Sequence, residues 1–272
     1  MYKIIDKKNL NNQVTSLTLD APLIAAKVQP GQFVILRIDD KGERIPLTVA
    51  DFDRKAGTVT IIFQAIGFTT KKLALLTVGD FVSDCVGPLG MPTEFGEPKK
   101  AIVIGGGVGC AIAYPQTKAL FEMGINPTVI AGFKSKDIVI LEDEMKAVAG
   151  ELHIATDDGS YGRKGFVTDV LKDLLAKDSY DLVIAIGPVG MMKAIAEITR
   201  PFGIKTIVSL NPIMIDGTGM CGGCRVNVGG QVKFACVDGP DFDGHLVDFD
   251  SLILRNAGYR QEEEHACKMG GF

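Results

Sequence analysis

The stretch that decides the fold is Ala101-Ile-Val-Ile-Gly-Gly-Gly-Val-Gly-Cys110, in which an apolar run enters a glycine-rich loop. A helical pattern, Cys110–Met123, follows at once. Continuous apolar runs are typical of strands buried on both faces, and N–H groups at such a helix start can hold a pyrophosphate. The loop departs from G-x-G-x-x-G because Cys110 stands where the last Gly would be. We expect a nucleotide at Gly105, Gly106, Gly107, Val108 and Gly109; a tight turn without a ligand is the alternative.

The same alternation continues to about residue 211. Apolar strand-like runs recur at Thr128–Ala131, Leu152–Ala155, Leu182–Ile186 and Thr206–Leu210. Helical patterns separate them at Leu141–Val148, Phe166–Lys177 and Gly190–Phe202. This alternation predicts a parallel α/β domain with helices on both faces of the sheet.

Two further loops leave strands of this sheet at the edge where ligands bind, beyond the carboxyl ends. One loop contains Asp157 and Asp158, and the other contains Gly187, Pro188 and Met191. Either loop alone fits ordinary turn chemistry. Because three loops converge on one edge, we expect them to line a cofactor site together.

The residues before the α/β domain have a different pattern of apolar residues. Short runs rich in Val, Ile, Thr and Phe occur at Gln13–Leu19, Gln32–Ile38, Ile45–Ala50, Thr58–Gln64 and Phe81–Val86. Asp, Gly and Pro separate these runs, and one short helix is expected at about Thr69–Leu76. The spacing predicts an antiparallel β-barrel or sandwich. We therefore divide the chain into an all-β domain at residues 1–97, an α/β domain at 98–211 and a cysteine loop with a tail at 212–272.

The third segment contains Asp216-Gly-Thr-Gly-Met-Cys221-Gly-Gly-Cys224 and, further on, Cys236. The plant-type iron–sulfur pattern is C-x4-C-x2-C followed by a distant Cys. Here the pattern is D-x4-C-x2-C-x11-C, so an aspartate stands where the first thiolate would be. Three thiolates and one carboxylate at this spacing predict a [2Fe–2S] cluster and one-electron transfer.

Two other uses of these cysteines stay open. A structural zinc site needs four ligands around one ion, and Asp216 or His245 could complete the set. The x4 offset of Asp216 fits the iron–sulfur pattern better, so we favour the cluster. A disulfide is disfavoured because residues 216–236 hold three cysteines, an odd number.

Charge and composition narrow the function classes. The 272 residues carry a formal net charge of −4, which leaves no basic surface for nucleic acid. No block of Lys and Arg indicates a membrane surface, and the longest uncharged run, residues 101–117, is interrupted by glycines and a proline and predicts no membrane span. The first residues lack an apolar signal core, so we expect a cytoplasmic protein whose cysteines are reduced.

The all-β domain contributes weaker signals. Arg44 begins Arg44-Ile-Pro-Leu-Thr48, and Gly67-Phe-Thr-Thr70 precedes the short helix. An arginine and a helix start can together hold a flavin pyrophosphate. Without further context, a solvated arginine and an ordinary capped helix explain these residues better.

The order of the motifs supplies that context. With Gly87-Pro-Leu-Gly90 between the barrel and the glycine loop, the series resembles the ferredoxin–NADP reductase superfamily over nearly the whole chain. Within it, the chain is similar to electron-transfer subunits that carry FAD and a [2Fe–2S] cluster. These are the small subunits of dihydroorotate dehydrogenase and of NADH-dependent reduced ferredoxin:NADP oxidoreductase, also called sulfide dehydrogenase. The second group is the better match, because Asp216 replaces a cysteine of the first and because Cys236–Asp250 continues in the manner of the second.

The resemblance implies a role for each motif. Arg44 would bind the FAD pyrophosphate, Pro46 and Leu47 would contact the flavin ring, and Thr48 would lie near flavin N5 as the catalytic contact. The remaining FAD contacts would be Gly67, Thr69 and Thr70. The nicotinamide nucleotide would meet Gly105–Gly109, Asp157, Asp158 and Gly187–Met191. The cluster ligands would be Asp216, Cys221, Cys224 and Cys236.

The function implied is that of an FAD-dependent NAD(P)H oxidoreductase subunit. Electrons would pass between NAD(H), FAD and the cluster to a larger iron–sulfur flavoprotein partner in a heterodimer, and through that partner to ferredoxin, with electron bifurcation. The alternatives are the electron-transfer subunit of a dihydroorotate dehydrogenase and a zinc-stabilised nucleotide-binding regulator. Lys134, Lys136 and Asp137 leave NAD or NADP open, and the resemblance favours NAD(H).

Overall fold

The amino-terminal part of the chain is an antiparallel sheet that nearly closes into a barrel. A computed structural model describes residues 1–258, 265 and 267–269. The elements up to residue 97 are β1 (Tyr2–Asn9), β2 (Val14–Asp20), α1 (Pro22–Ala25), β3 (Phe33–Arg37), β4 (Arg44–Asp53), β5 (Thr58–Gln64), α2 (Phe68–Leu75), β6 (Phe81–Val82) and β7 (Asp84–Leu89). The strand order is β6-β1-β2-β5-β4-β3-β7. Because only Ser83 separates β6 from β7, the two edges of the sheet come together.

Alternating side chains fill the barrel. Leu17 and Leu19 of β2 pack with Ile61 of β5 in one buried cluster. The intervening Thr18 and Thr60 point outward, and their hydroxyls form a 3.0 Å hydrogen bond. Burying each large apolar side chain stabilises the fold by about 1.5–3 kcal/mol, so the period-two pattern sets which face of each strand is available to a ligand.

The next part of the chain alternates strands with helices. Its elements are β8 (Ala101–Gly106), α3 (Gly109–Glu122), β9 (Thr128–Phe133), α4 (Glu142–Val148), β10 (Glu151–Thr156), β11 (Arg163–Lys164), α5 (Val167–Leu175), β12 (Leu182–Ile186), α6 (Val189–Thr199) and β13 (Lys205–Ser209). Short 3₁₀ helices occur at Lys136–Ile138 and Arg200–Phe202. The strands pair in parallel in the order β11-β10-β9-β8-β12-β13.

Both faces of this parallel sheet are covered. Ile102 and Ile104 of β8 lie in the cluster that includes Leu171 of α5, whereas Val103 lies in the cluster that includes Leu120 of α3. Strand β8 has β9 on one side and β12 on the other. The winding therefore reverses at β8, and a crevice opens at the carboxyl ends of β8 and β12.

The cysteine loop leads into a small carboxyl-terminal region. It contains β14 (Arg225–Val228), β15 (Gln231–Phe234), β16 (Asp241–Asp243) and α7 (Phe249–Asn256). The turn of the β14–β15 hairpin is Gly229-Gly230, with φ angles of +60° and +76° that favour glycine. Strand β16 pairs antiparallel with β13 and anchors the region to the parallel sheet.

The predicted fold class is confirmed: an antiparallel β-barrel precedes a parallel α/β sheet and a small cysteine loop. The predicted strand Phe81–Val86 is broken at Ser83, and strand Tyr2–Asn9 was not predicted. The domain boundaries stay a prediction, and residues 259–264, 266 and 270–272 of the third segment lie outside the described part. Within the described part, no helix has the length and apolar character needed to cross a membrane.

Candidate functional site

The outer face of β4 presents three of the predicted flavin contacts. Ile45 and Leu47 pack against the barrel interior. Because side chains alternate along a strand, Arg44, Pro46 and Thr48 lie together on the opposite face. The side chain of Leu47, which was also a predicted contact, is directed away from that face.

Helix α2 begins beside this segment. Gly67 precedes the helix in an extended conformation, and its N–H donates a 3.0 Å hydrogen bond to the Thr70 hydroxyl. The Thr69 hydroxyl donates a hydrogen bond to the carboxylate of Glu43, the residue before Arg44. The start of β4 is therefore held against the first turn of α2. A guanidinium next to the positive end of a helix suits a pyrophosphate.

A cavity of about 880 Å³ lies at the carboxyl edge of the parallel sheet. The predicted residues that line it are Gly106, Gly107, Val108, Gly109, Asp157, Gly187, Pro188 and Met191. Its volume is in the range of cofactor sites. The structure therefore brings the three predicted loops together at one concave site.

Two residues predicted for this site do not line the cavity. Gly105 lies beneath it, where an added Cβ would fall 2.7 Å from the Cys110 sulfur. The Asp158 carboxylate turns towards Ser160 and accepts hydrogen bonds of 2.6 Å from its hydroxyl and 2.9 Å from its N–H. These bonds, the hydroxyl first, lower the pKa of Asp158, so Asp158 stabilises its own loop.

The glycine loop lets the backbone approach a ligand. At Gly107, with φ of +57°, an added Cβ would meet no atom within 4 Å among the described residues, so the loop is open on that side. At Gly109 an added Cβ would lie 2.4 Å from the carbonyl oxygen of Ile186, a clash that only glycine avoids. Helix α3 begins at Gly109. The first N–H groups of a helix lack a carbonyl four residues back within the helix, although here those of Cys110 and Ala111 donate to the carbonyls of Gly107 and Val108. The loop can therefore hold phosphate oxygens through the backbone.

The cavity has further lining residues that the sequence analysis missed. They include Asn11, Gln13, Val14 and Gln64 of the barrel, Phe166 before α5, and Ser209 and Asn211 at the end of β13. Ser209 and Asn211 follow a strand as the predicted loops do, so the same edge rule would have found them. Phe166 ends the loop that follows β10, so the edge rule reaches it too. The barrel residues carry no such signal, because their position depends on how the two sheets pack.

The predicted cluster ligands form two pairs. The sulfur atoms of Cys224 and Cys236 lie 3.2 Å apart, and both residues are buried. The Asp216 carboxylate accepts hydrogen bonds from the N–H of Thr218 at 2.9 Å and from the N–H of Cys221 at 2.8 Å. These bonds, with Thr218 first, lower the pKa of Asp216, and the Cys221 thiol contributes in the same direction. The carboxylate is therefore ionised and adjacent to Cys221.

This arrangement fits a two-iron cluster better than a single zinc ion. Within the described residues, no three His, Cys, Asp or Glu side chains converge as one metal ion would require, whereas a [2Fe–2S] cluster takes two protein ligands on each iron. All three loop cysteines are free thiols. Burial, followed by the Cys224 thiol, raises the pKa of Cys236 to about 12, so a metal has to displace its proton. His245 does not join them, because its Nε2 lies 2.9 Å from the Thr199 hydroxyl.

The cysteine loop packs on the strand next to β4. Phe33 and Ile35 of β3 share a buried cluster with Cys224 and Cys236. The same two residues pair with Thr48 and Pro46, respectively, across the ladder. Neighbouring strands are about 4.8 Å apart, so the candidate flavin face and the candidate cluster loop lie on adjacent strands of one sheet.

Comparison with known proteins agrees with this geometry. Residues 211–248 match the family described as the iron–sulfur cluster binding domain of dihydroorotate dehydrogenase B. A Thermotoga maritima protein named dihydroorotate dehydrogenase B (NAD+), electron transfer subunit homolog, is 46% identical over 264 residues, covering 97% of this chain and 93% of that protein. A Fusobacterium nucleatum protein named dihydroorotate dehydrogenase B (NAD+), electron transfer subunit, is 37% identical over 231 residues, covering 81% of this chain and 87% of that protein.

A solved structure is similar over almost the whole chain. It comes from a study of flavin-based electron bifurcation in an NADH-dependent reduced ferredoxin–NADP oxidoreductase, and it superposes with a TM-score of 0.94 at 44% identity. The match covers 99% of this chain and 97% of that one. The barrel, the parallel sheet and the cysteine loop therefore occur in the same arrangement in that protein.

Proposed function

Because the chain belongs to the family of dihydroorotate dehydrogenase B electron transfer subunits and their homologues, we propose that it is a flavin and iron–sulfur electron-transfer subunit of an NAD(H)-linked oxidoreductase. The whole enzyme is proposed to be an electron-bifurcating ferredoxin:NADP oxidoreductase. The observation that carries the proposal is the contact between the cysteine loop and β3, which sets the candidate cluster beside the candidate flavin face.

Each site has a proposed occupant. Arg44, Thr69, Thr70 and the start of α2 bind the FAD diphosphate, and Pro46 and Thr48 face the flavin ring. The glycine loop, Asp157 and the Gly187–Met191 loop bind NAD(H). Asp216, Cys221, Cys224 and Cys236 hold the cluster. When bound, FAD would accept a hydride from NADH, and the cluster would relay single electrons.

The chain's own residues orient these groups and exclude water. Thr48 has a hydroxyl on the outer face of β4, where it can donate to or accept from a flavin ring nitrogen. Phe33 and Ile35 pair with Thr48 and Pro46 on the neighbouring strand and are buried against the cysteine loop. Two packed apolar side chains keep water out of the gap and keep the gap short.

A larger iron–sulfur flavoprotein is the proposed partner, and the cysteine loop is its proposed docking face. Cys221 is exposed, and the loop and the residues next to it in sequence carry further exposed apolar side chains: Ile213, Ile215, Met220 and Val237. The Met220 side chain is 89% exposed. Apolar side chains around a redox ligand suit burial in a protein interface, through which electrons would reach ferredoxin.

The domain division follows from the same assignment. Residues 1–97 are proposed as the FAD-binding domain, 98–211 as the NAD-binding domain and 212–272 as the cluster loop and tail. A cytoplasmic location is proposed because clustered cysteines serve as metal ligands in reducing compartments.

A visible spectrum with iron, acid-labile sulfide and flavin analysis on anaerobically prepared protein tests the proposal. We expect one FAD and two irons per chain, and bleaching of both chromophores by NADH. A colourless preparation that contains zinc would support a zinc-stabilised regulator instead. Protein that holds flavin and iron but is not reduced by NADH would also contradict the assignment.

The second candidate is the electron-transfer subunit of a dihydroorotate dehydrogenase, favoured by the match of residues 211–248. The two enzymes have different electron donors, so the native complex separates them. Reduction of the isolated complex by dihydroorotate supports the second candidate, and reduction by NADPH with ferredoxin supports the first. Met220→Glu should release the partner during purification while the spectrum of the subunit is kept.

A further inference from the structure

A guanidinium group from the last turn of α7 contacts the cysteine loop. Nη2 of Arg255 donates a 3.1 Å hydrogen bond to the carbonyl oxygen of Gly223, which lies between Cys221 and Cys224 in the sequence. Arg255 is not among residues 211–248, which match the iron–sulfur domain family. The contact therefore joins the candidate cluster loop to a helix that the matched segment does not include.

Helix α7 is anchored in the α/β domain. Phe249 and Leu252 are buried in an apolar cluster of the parallel sheet and its helices, and Asp250 forms a 2.7 Å salt bridge with Lys193 of α6. Because these contacts fix the helix, the position of Arg255 does not depend on the cysteine loop. Arg255 can therefore hold the loop from outside.

The backbone that Arg255 contacts also contacts the sulfur of Cys221. The N–H of Gly223 donates to that sulfur at 3.4 Å. With standard bond lengths, this route through Gly223 puts the Arg255 guanidinium at most about 11 Å from the sulfur. A second guanidinium, that of Arg225, lies against Gly222, where an added Cβ would fall 3.1 Å from its Nη1. Two positive charges therefore adjoin the short segment that supplies two of the candidate thiolates.

We propose that Arg255 raises the reduction potential of the [2Fe–2S] cluster. This inference rests on the proposed function, because it takes the cysteine loop as the cluster site. Reduction adds one electron to a group already bound by four anionic ligands, so a nearby cation stabilises the reduced form more than the oxidised form. The hydrogen bond also fixes the Gly223 carbonyl, which keeps the Gly223 N–H on the Cys221 sulfur. Both effects make the cluster a better acceptor for an electron from the flavin.

The test is a redox titration of the anaerobically prepared holoprotein, followed by EPR, for wild type, Arg255→Gln and Arg255→Lys. Glutamine keeps an N–H donor but removes the charge. The ratio of reduced to oxidised cluster at a fixed potential should therefore fall at least about fivefold in Arg255→Gln, which is roughly 40 mV for one electron. Lysine keeps the charge, so Arg255→Lys should stay within about twofold of wild type. The fall in Arg255→Gln should shrink between about 0.1 M and 1 M salt, because salt screens an exposed charge.

Arg200→Gln is the matched control. Arg200 is exposed as Arg255 is, and it donates a 2.7 Å hydrogen bond to another backbone carbonyl of the carboxyl-terminal region, that of His245. The His245 ring bonds Thr199 of α6 and not the cysteine loop, so Arg200→Gln should leave the potential unchanged. Only assembled clusters give the EPR signal, so a partial loss of iron in a variant does not hide its potential.

The outcomes separate the role of Arg255 from the cluster site itself. Equal potentials in wild type and Arg255→Gln would overturn the inference and leave the cluster assignment standing. An equal fall in Arg200→Gln, or a fall that high salt leaves intact, would also overturn it. Wild-type protein that holds neither iron nor acid-labile sulfide would overturn the cluster site, and the role of Arg255 with it.

Discussion

Thr93 donates a 2.5 Å hydrogen bond to the carboxylate of Asp241, which joins the end of the barrel region to β16, beyond the cysteine loop. Gln116 of α3 donates a 2.6 Å hydrogen bond to the same Thr93 hydroxyl. Oδ1 of Asp241 and Oε1 of Gln116 have no hydrogen-bond partner within the described residues. A buried carboxyl group thus lies where the barrel, the parallel sheet and the cluster segment meet.

Burial raises the pKa of Asp241, and the hydrogen bonds from Thr93, Ser209 and Gln116 only partly offset this. The folded state therefore holds a proton that the unfolded chain releases above about pH 3.9. The contribution of Asp241 to stability is greatest below that pH and is lost as the pH rises towards the raised pKa, with a limiting slope of about 1.4 kcal/mol per pH unit. Asp241→Asn removes this loss, so its melting temperature should gain on wild type as pH rises from about 5 to 8.

The check is thermal unfolding across that range with Asp243→Asn as the control. Asp243 lies on the same strand and is exposed, so Asp243→Asn removes a carboxylate from β16 without altering the buried group. A constant difference between Asp241→Asn and wild type would show that Asp241 ionises normally in the folded protein.

Gly217 fixes how the cysteine loop sits on the barrel. Its φ is +75°, and an added Cβ would lie 2.7 Å from Ile35 Cγ1 and 2.8 Å from Leu89 Cδ1. Gly217→Ala should therefore shift Asp216 and cut the iron content below about half, at a cost of 2 kcal/mol or more. Metal and sulfide analysis measures this, with FAD content expected to stay at the wild-type level.

Gly230→Ala is the control, because it adds backbone strain without the steric clash expected at Gly217. Gly230 has φ of +76°, but no described atom lies within 4 Å of its added Cβ. This variant should lose about 1–2 kcal/mol and keep its iron. If both variants keep their iron equally, the contact of Gly217 with Ile35 does not position the loop.

Asp157 should favour NADH over NADPH. The part of the cavity that follows β9 and β10 is lined by the carboxylates of Asp137 and Asp157 and by the ammonium of Lys134. The formal charge of these three groups is net negative, which repels a 2′-phosphate. At a partly exposed site this repulsion is of order 1 kcal/mol. Asp157→Asn should therefore lower the ratio of KM for NADPH to KM for NADH about fivefold. Asp158→Asn should leave the ratio unchanged, because Asp158 is bonded to Ser160; equal effects would place the adenosine ribose elsewhere.

The periodicity of the sequence predicts the buried strands well and the polar edge strand poorly. Leu182–Ile186 and Thr58–Gln64 appear with the predicted bounds, because one is apolar throughout and the other alternates cleanly. Strand Tyr2–Asn9 is mostly charged or polar, and Ile4 is its one fully buried side chain. Its pairing with β2 depends on backbone hydrogen bonds, which leave no apolar pattern in the sequence.

Some features of the candidate site can likewise be predicted from the sequence, and others cannot. Motif spacing predicted the three loops of the cavity and the two candidate ligand pairs. The residues of each group are close in sequence or follow strands at one edge of the sheet. Spacing could not show that Leu47 faces the barrel core or that Asp158 turns to Ser160. Nor could it show that the cysteine loop packs on Phe33 and Ile35, on the strand next to the candidate flavin face, since that depends on packing between distant segments.

Arg44 should control FAD affinity. Loss of a charge-assisted hydrogen bond to a phosphate costs about 1.5–3 kcal/mol, so Arg44→Ala should raise the FAD dissociation constant at least about tenfold. Arg44→Lys should keep only part of the wild-type FAD affinity, because lysine cannot form the bidentate contact with a phosphate. Fluorescence titration of flavin-depleted protein measures this. Lys41→Ala removes an exposed cation from the turn before β4 and should change the dissociation constant less than about twofold; equal losses in both variants would indicate only a general charge effect.

Asp216→Cys tests the carboxylate as a ligand. The substitution restores the four-thiolate pattern and keeps the formal charge, but it removes the oxygen atoms that accept the N–H groups of Thr218 and Cys221. Because ligand softness and hydrogen bonding both tune potential, the cluster should form with full iron and sulfide and a shifted midpoint potential and EPR signal. Asp216→Ala leaves one coordination position empty and should lose iron. Spectroelectrochemistry that finds the same potential and EPR signal in wild type and Asp216→Cys would exclude Asp216 from the ligand set.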